Sequence, residues 1–114
     1  MTIPNKTFHP IMTITIKAQE DLPPYRFVDF RGMICQQNQK ALGATVGRWS
    51  PNKYAGIIVL GIAIVEAGST ITLGDKIASN AEGKAVPATT GAEVNGRALN
   101  SANAGEFVRV LLVP

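Results

Sequence analysis

Hydrophobic and polar residues alternate in short runs along most of this chain, and no window of eleven or more residues carries apolar positions at helical spacing. Met12-Thr13-Ile14-Thr15-Ile16-Lys17-Ala18 sets Met12, Ile14, Ile16 and Ala18 on one face and Thr13, Thr15 and Lys17 on the other. That two-residue period is the mark of a half-buried strand. Leu22-Pro23-Pro24 stops it, because proline lacks a ladder donor and biases its predecessor toward extended backbone. A second strand is expected over Tyr25 to Arg31. A turn at Arg31-Gly32-Met33 leads into Ile34-Cys35-Gln36, and the polar stretch Gln37 to Leu42 reads as a loop or a single helical turn. Gly56-Ile57-Ile58-Val59-Leu60 shows no alternation, which predicts a strand covered on both faces at the centre of the core.

Further strands follow at Ser69 to Leu73, bracketed by the turn residues Gly68, Gly74 and Asp75, and at Val94 to Leu99 and Phe107 to Val113. Lys76-Ile77-Ala78 and Ala85-Val86 flank Ser79-Asn80-Ala81-Glu82-Gly83-Lys84, a spacing that predicts a hairpin with Gly83 at positive φ after a type I turn. An Ala-, Asn- and Ser-rich loop with a turn at Gly105 joins the last two strands. The pattern therefore predicts an all-β fold, a small single-domain barrel or sandwich with little helix. Met1 to Ile11 differs in kind: Pro4 and Pro10 flank a polar stretch that bears Ile3, Phe8, His9 and Ile11, an extended N-terminal arm ahead of a β-rich domain at residues 12–114.

Composition sharpens the picture. Of 114 residues, 46% are hydrophobic, and only 17% are charged against the ~25% usual in soluble domains. So much uncharged surface is expected to be covered by other chains. The length suffices for one core without staples. Cys35, the only cysteine, excludes an internal disulfide and a Cys-rich zinc site, and reads as a buried thiol. No continuous apolar stretch near Met1 resembles a secretory leader. Tyr54 to Val65 is too short and too glycine-interrupted for a membrane helix, so neither export nor a membrane is expected.

Candidate chemistry is sparse. His9 is the only histidine and sits in the arm, so a Cys35-His9 nucleophile pair has no rigidly held base. Glu20-Asp21 are adjacent on an extended chain and point apart. Gly43-x-x-x-Gly47 lacks the Lys-Ser/Thr of a phosphate loop, and no metal-ligand or cofactor pattern occurs. No enzyme and no cofactor are expected. Basic and aromatic residues interleave at Tyr25-Arg26-Phe27, Phe30-Arg31, Arg48-Trp49 and Lys53-Tyr54, which keeps a small β-barrel binding single-stranded nucleic acid as the alternative function. Against it stand the scattered cations and a net charge of only +3. A carrier hairpin is also weighed at Gly68 to Ile77, but Lys84 lacks the neighbours of a modified lysine.

Taken in order, Glu20-Asp21-Leu22 with Tyr25-Arg26-Phe27-Val28, Gly61 to Gly68, Gly74 to Val86, Gly96-Arg97-Ala98-Leu99 and Ala104-Gly105-Glu106-Phe107-Val108-Arg109-Val110-Leu111-Leu112 resemble the tailed-phage head decoration, or capsid cement, proteins. The resemblance spans roughly Ile14 to Leu112. It departs at the longer Met1 to Ile11 and at Gly47 to Asn52, where Trp49 is unusual. It implies a barrel- or tulip-like domain that forms homo-oligomers, a trimer favoured over a dimer, on the outer surface of the expanded head. The partner implied is the major capsid protein, with no catalysis and no direct nucleic acid contact, in a virion assembled in the bacterial host cytoplasm. Ile3, Pro4, Phe8, His9, Pro10 and Ile11 are then candidate capsid contacts, by strand addition to a partner's edge. Trp49 is either an interface anchor or a packed residue, and Arg97 and Arg109 are either cross-chain pairing groups or members of ion pairs within one chain.

Overall fold

The computed structural model describes residues 9–113. Eight strands form there: β1 (His9–Lys17), β2 (Phe27–Val28), β3 (Gly43–Thr45), β4 (Tyr54–Glu66), β5 (Lys76–Ser79), β6 (Ala85–Pro87), β7 (Gly96–Ala98) and β8 (Phe107–Leu112). They make one antiparallel sheet in the order β2-β3-β4-β8-β7-β5-β6, with β1 also on β4. Ile57 and Ile58 pair with both β1 and β3, and Ile62 pairs with both β1 and β8. It follows that β3 and β8 take successive stretches of one edge of β4 while β1 holds the other.

The sheet curls into a nearly closed barrel without helix among the described residues. Closure comes from the β5-β6 hairpin tip returning to β2. Phe27 N–H donates to the Gly83 carbonyl at 2.7 Å, Asn38 N–H to Ser79 at 3.0 Å, and Glu66 N–H to Tyr25 at 2.9 Å. Arg26 and Lys84 close on the same place, with Arg26 Nη2 3.2 Å and Lys84 Nζ 3.4 Å from the two oxygens of Glu66. Gly83 has φ +73°, as its place in the hairpin predicts.

Two apolar clusters lie on opposite faces of β2 and the first half of β4. The larger, inside the barrel, holds Phe27, Cys35, Ile58, Ala63, Val65, Ile77, Val108 and Val110; the smaller holds Ala18, Leu22, Val28, Ala55 and Ile57. Because Ile57 and Ile58 belong to different clusters, both faces of the strand must be apolar, which is why the sequence does not alternate there. Ile58 and Ala63 point to the same interior yet are an odd number of residues apart. The strand shifts phase near Gly61, whose φ of +102° few L side chains adopt.

Several predicted strands are shorter than their patterns. Tyr25 to Arg31 contributes only Phe27–Val28, because the Asp29 carboxylate draws the N–H groups of Arg31 and Met33 into a turn at 2.9 and 3.0 Å. Ser69 to Leu73 reduces to a single bridge, Ile71 to Ala102, and Ile34 bridges Val28. Gln37 to Leu42 contains no helical turn. At the other end β1 begins at His9, so the boundary drawn at Met12 falls inside the strand: His9 pairs with Ile62 and Pro10 with Gly61. Ile3, Pro4 and Phe8 lie outside the described residues.

Candidate functional site

In antiparallel pairs, residues directly opposite one another project to the same face. Across β4, β8, β7 and β5 the register links Ala63, Val110 and Ala98 in an inward row and Ile62, Leu111, Arg97 and Lys76 in the next, outward row. Every inward member is buried; Leu111, Arg97 and Lys76 are exposed and Ile62 is half-buried. The outward row thus runs from apolar at β4 and β8 to cationic at β7 and β5. Beside it, the turn at Thr72 to Asp75 exposes Leu73, and Arg97 Nη1 donates to the Gly74 carbonyl at 3.1 Å. Asp75 holds that turn by accepting the Thr72 N–H at 2.9 Å.

A second exposed apolar group lies on β1. Register shifts flank Met12, leaving Ile11 without a Cα partner on β4. Ile11 is 76% exposed and Met12 51%. Tyr54, opposite Lys17 at the other end of the β1-β4 ladder, is also exposed.

The remaining sequence candidates separate into core, turn and surface. Trp49 packs against the smaller cluster, and its backbone exchanges hydrogen bonds with Leu22 at 2.8 and 2.9 Å. Its buried Nε1–H has no hydrogen-bond partner among the described residues. Arg109 is half-buried on β8 opposite Ile64, and neither Arg97 nor Arg109 has a carboxylate partner among the described residues. The expected ion pair within the chain is therefore formed by neither: Arg26 and Lys84 pair with Glu66, Arg31 with Asp29 and Arg48 with Asp21. Gly74 and Gly105 take positive φ, whereas Gly68 does not; a Cβ there would lie 2.6 Å from Asn80 Nδ2, so close approach rather than turn geometry demands glycine.

The basic and aromatic interleaving seen in the sequence distributes into unrelated environments. Phe27 is fully buried, Tyr25 meets Phe107 edge-on at 5.1 Å, and Arg31 and Arg48 pair with Asp29 and Asp21. Lys76 and Leu111 escaped the sequence reading. Lys76 sits in a strand start beside Asp75, and Leu111 hides between two inward residues of an apolar run, so only the register shows which way each points.

Buried polar groups are structural. Burial pushes the Asp29 carboxyl upward, but hydrogen bonds from Arg31 and from the Met33 and Arg31 N–H groups outweigh it and hold the carboxyl below the usual range. Burial raises the Cys35 thiol, which donates to the Gln39 carbonyl at 3.3 Å, the setting of an inert rather than a nucleophilic cysteine. Burial likewise lowers Lys40, whose Nζ spans the Val94 and Val113 carbonyls at 3.1 and 2.7 Å. Among the described residues no three His, Cys, Asp or Glu side chains gather to hold a metal ion, and no helix is long and apolar enough to cross a membrane.

The sequence profile of phage cement proteins matches residues 6–112, nearly the whole chain. The chain belongs to the phage cement protein family. It is thus a phage structural protein of the virion, associated with the capsid. Among solved structures, the head fiber gp8.5 N base in bacteriophage phi29 is similar to this cement protein with a TM-score of 0.74 and 22% identity, over 90% of this chain and 93% of that one. At that identity the likeness speaks to the fold. No curated protein matches the chain.

Proposed function

We propose that this cement protein binds the outer surface of the expanded head as a homo-oligomer, a trimer rather than a dimer, and stabilises contacts between major capsid protein subunits. The observation that carries the reading is the family match over residues 6–112, and the exposed Ile11, Met12, Tyr54 and Leu111 support it by supplying apolar surface outside the core. A ligand that binds the expanded lattice and not the ruptured one stabilises it by mass action at each site, and many sites add through multivalency. The residues before β1, with His9, Pro10 and Ile11 at its start, act as the capsid-binding arm.

Cosedimentation with empty expanded heads, unexpanded heads and single-stranded DNA tests this. Saturable binding to expanded heads at a fixed ratio to the major capsid protein is the expected result; salt-sensitive retention on DNA with no head binding overturns it. Deleting residues 1–8 spares all of β1 and is expected to abolish head binding while the melting transition persists. Undiminished binding by that truncation rejects the arm. Light scattering on the free and head-released protein reads the oligomer.

A further inference from the structure

On the outward row, Lys76 and Arg97 stand directly opposite each other on β5 and β7, and both are exposed. Like charges in that position destabilise a ladder. Elsewhere Arg26 and Lys84 share Glu66, Arg31 holds Asp29 and Arg48 holds Asp21, while Lys17, Lys40, Lys53 and Arg109 have no carboxylate among the described residues. What sets Lys76 and Arg97 apart is that they face each other across a ladder. Lys76 and Arg97 have no carboxylate among the described residues, and the nearest one in sequence, Asp75, is occupied by the Thr72 N–H. The guanidinium of Arg97 is partly fixed by its bond to the Gly74 carbonyl, so it is presented rather than free to swing. Leu111 adjoins Arg97 in register, and Leu73 stands exposed in the turn that Arg97 holds.

We infer that the row Ile62, Leu111, Arg97 and Lys76, with Leu73, is the face that docks on a capsid subunit presenting carboxylates beside an apolar patch. Charge complementarity selects that occupant. A contact between two copies of this same face would bring four cations together, so the face does not pair with itself. The apolar end of the row supplies contact area, and the cationic end sets register and excludes wrong partners. The row ends where β1 begins, since Ile62 is the partner of His9, so face and arm would engage the same neighbour. The inference rests on the capsid reading above.

One substitution separates binding from folding. Lys76→Glu turns the like-charge pair into a Glu-Arg cross-strand pair, so the melting temperature is expected to hold or rise while affinity for expanded heads falls about tenfold or more. Arg97→Glu is expected to weaken binding as much, and Leu111→Ser to weaken it without altering its salt dependence. Wild-type binding matched by a folded Lys76→Glu and a folded Arg97→Glu overturns the docking face and leaves the capsid function standing. Absence of wild-type binding to any head form overturns both. Retention on single-stranded DNA, lost in Lys76→Glu without head binding, reassigns the cations to phosphate.

Discussion

Gly83 shows how much one residue decides here. Its positive φ and the 2.8 Å between its hypothetical Cβ and the Phe27 carbonyl leave no room for a side chain. Gly83→Val is expected to cost about 2–4 kcal/mol, read as a lower urea midpoint, because it strains the hairpin and pushes it off β2. Asp29 gives a pH signature. Its folded pKa lies below the unfolded one, so its stabilisation is complete above ~4 and is lost as pH falls through the folded value. Asp29→Asn is expected to lose about 2 kcal/mol at pH 7, and the gap from wild type should close at the acid end of a pH series of chemical denaturation curves. Arg31, though mostly exposed, adds two guanidinium bonds to the same carboxylate, at 3.0 and 2.7 Å, beside the backbone ones.

At the scale of elements, the sequence revealed those whose partners are local or whose period is clean. The β5-β6 hairpin, β8 and the doubly covered β4 follow from turn chemistry and apolar runs alone. The short strand β3 has no counterpart in the pattern. Strands β2 and β7 fall inside the expected Tyr25 to Arg31 and Val94 to Leu99 but are shorter, because tertiary pairing rather than pattern ends them: Asp29 turns the chain after Val28, and Trp49 bridges Leu22 across an irregular loop. Proline at position 10 suggested an arm, yet β1 starts at His9, since the register shifts around Met12 accommodate the irregularity. The candidate site was half legible. Arg97 and the exposed Ile11 carried a signal, whereas Lys76 and Leu111 gain meaning only once three strands are set in register. Within β4, Ile57→Ala empties part of the smaller cluster and is expected to cost about 2–5 kcal/mol by thermal denaturation, against little for the exposed Ile11→Ser.

For the whole molecule, closure of the barrel depends on Glu66 holding Arg26 and Lys84 where β2, β4 and the hairpin meet. Glu66→Gln leaves Arg26 without a carboxylate and Lys84 with only the distant Glu82 at 4.0 Å, and is expected to cost about 1–2 kcal/mol, the difference from wild type shrinking as salt is added. Amides of Phe27 and Asn80 should lose hydrogen-exchange protection together, since both lie in that closure. A sheet whose partners lie far apart in sequence also folds slowly, in milliseconds to seconds rather than microseconds.

The 13 residues of β4 reach roughly 40 Å at ~3.3 Å each, which matches the longest dimension of the molecule, 37 Å. This long strand is laced along both edges by β1, β3 and β8. Tension along its axis loads those hydrogen bonds in parallel as shear, so they must fail together; tension across it peels the ladder bond by bond. The domain is in this sense anisotropic, stiff along β4 and weak at right angles to it, and the direction of any load placed on it decides which of the two it is.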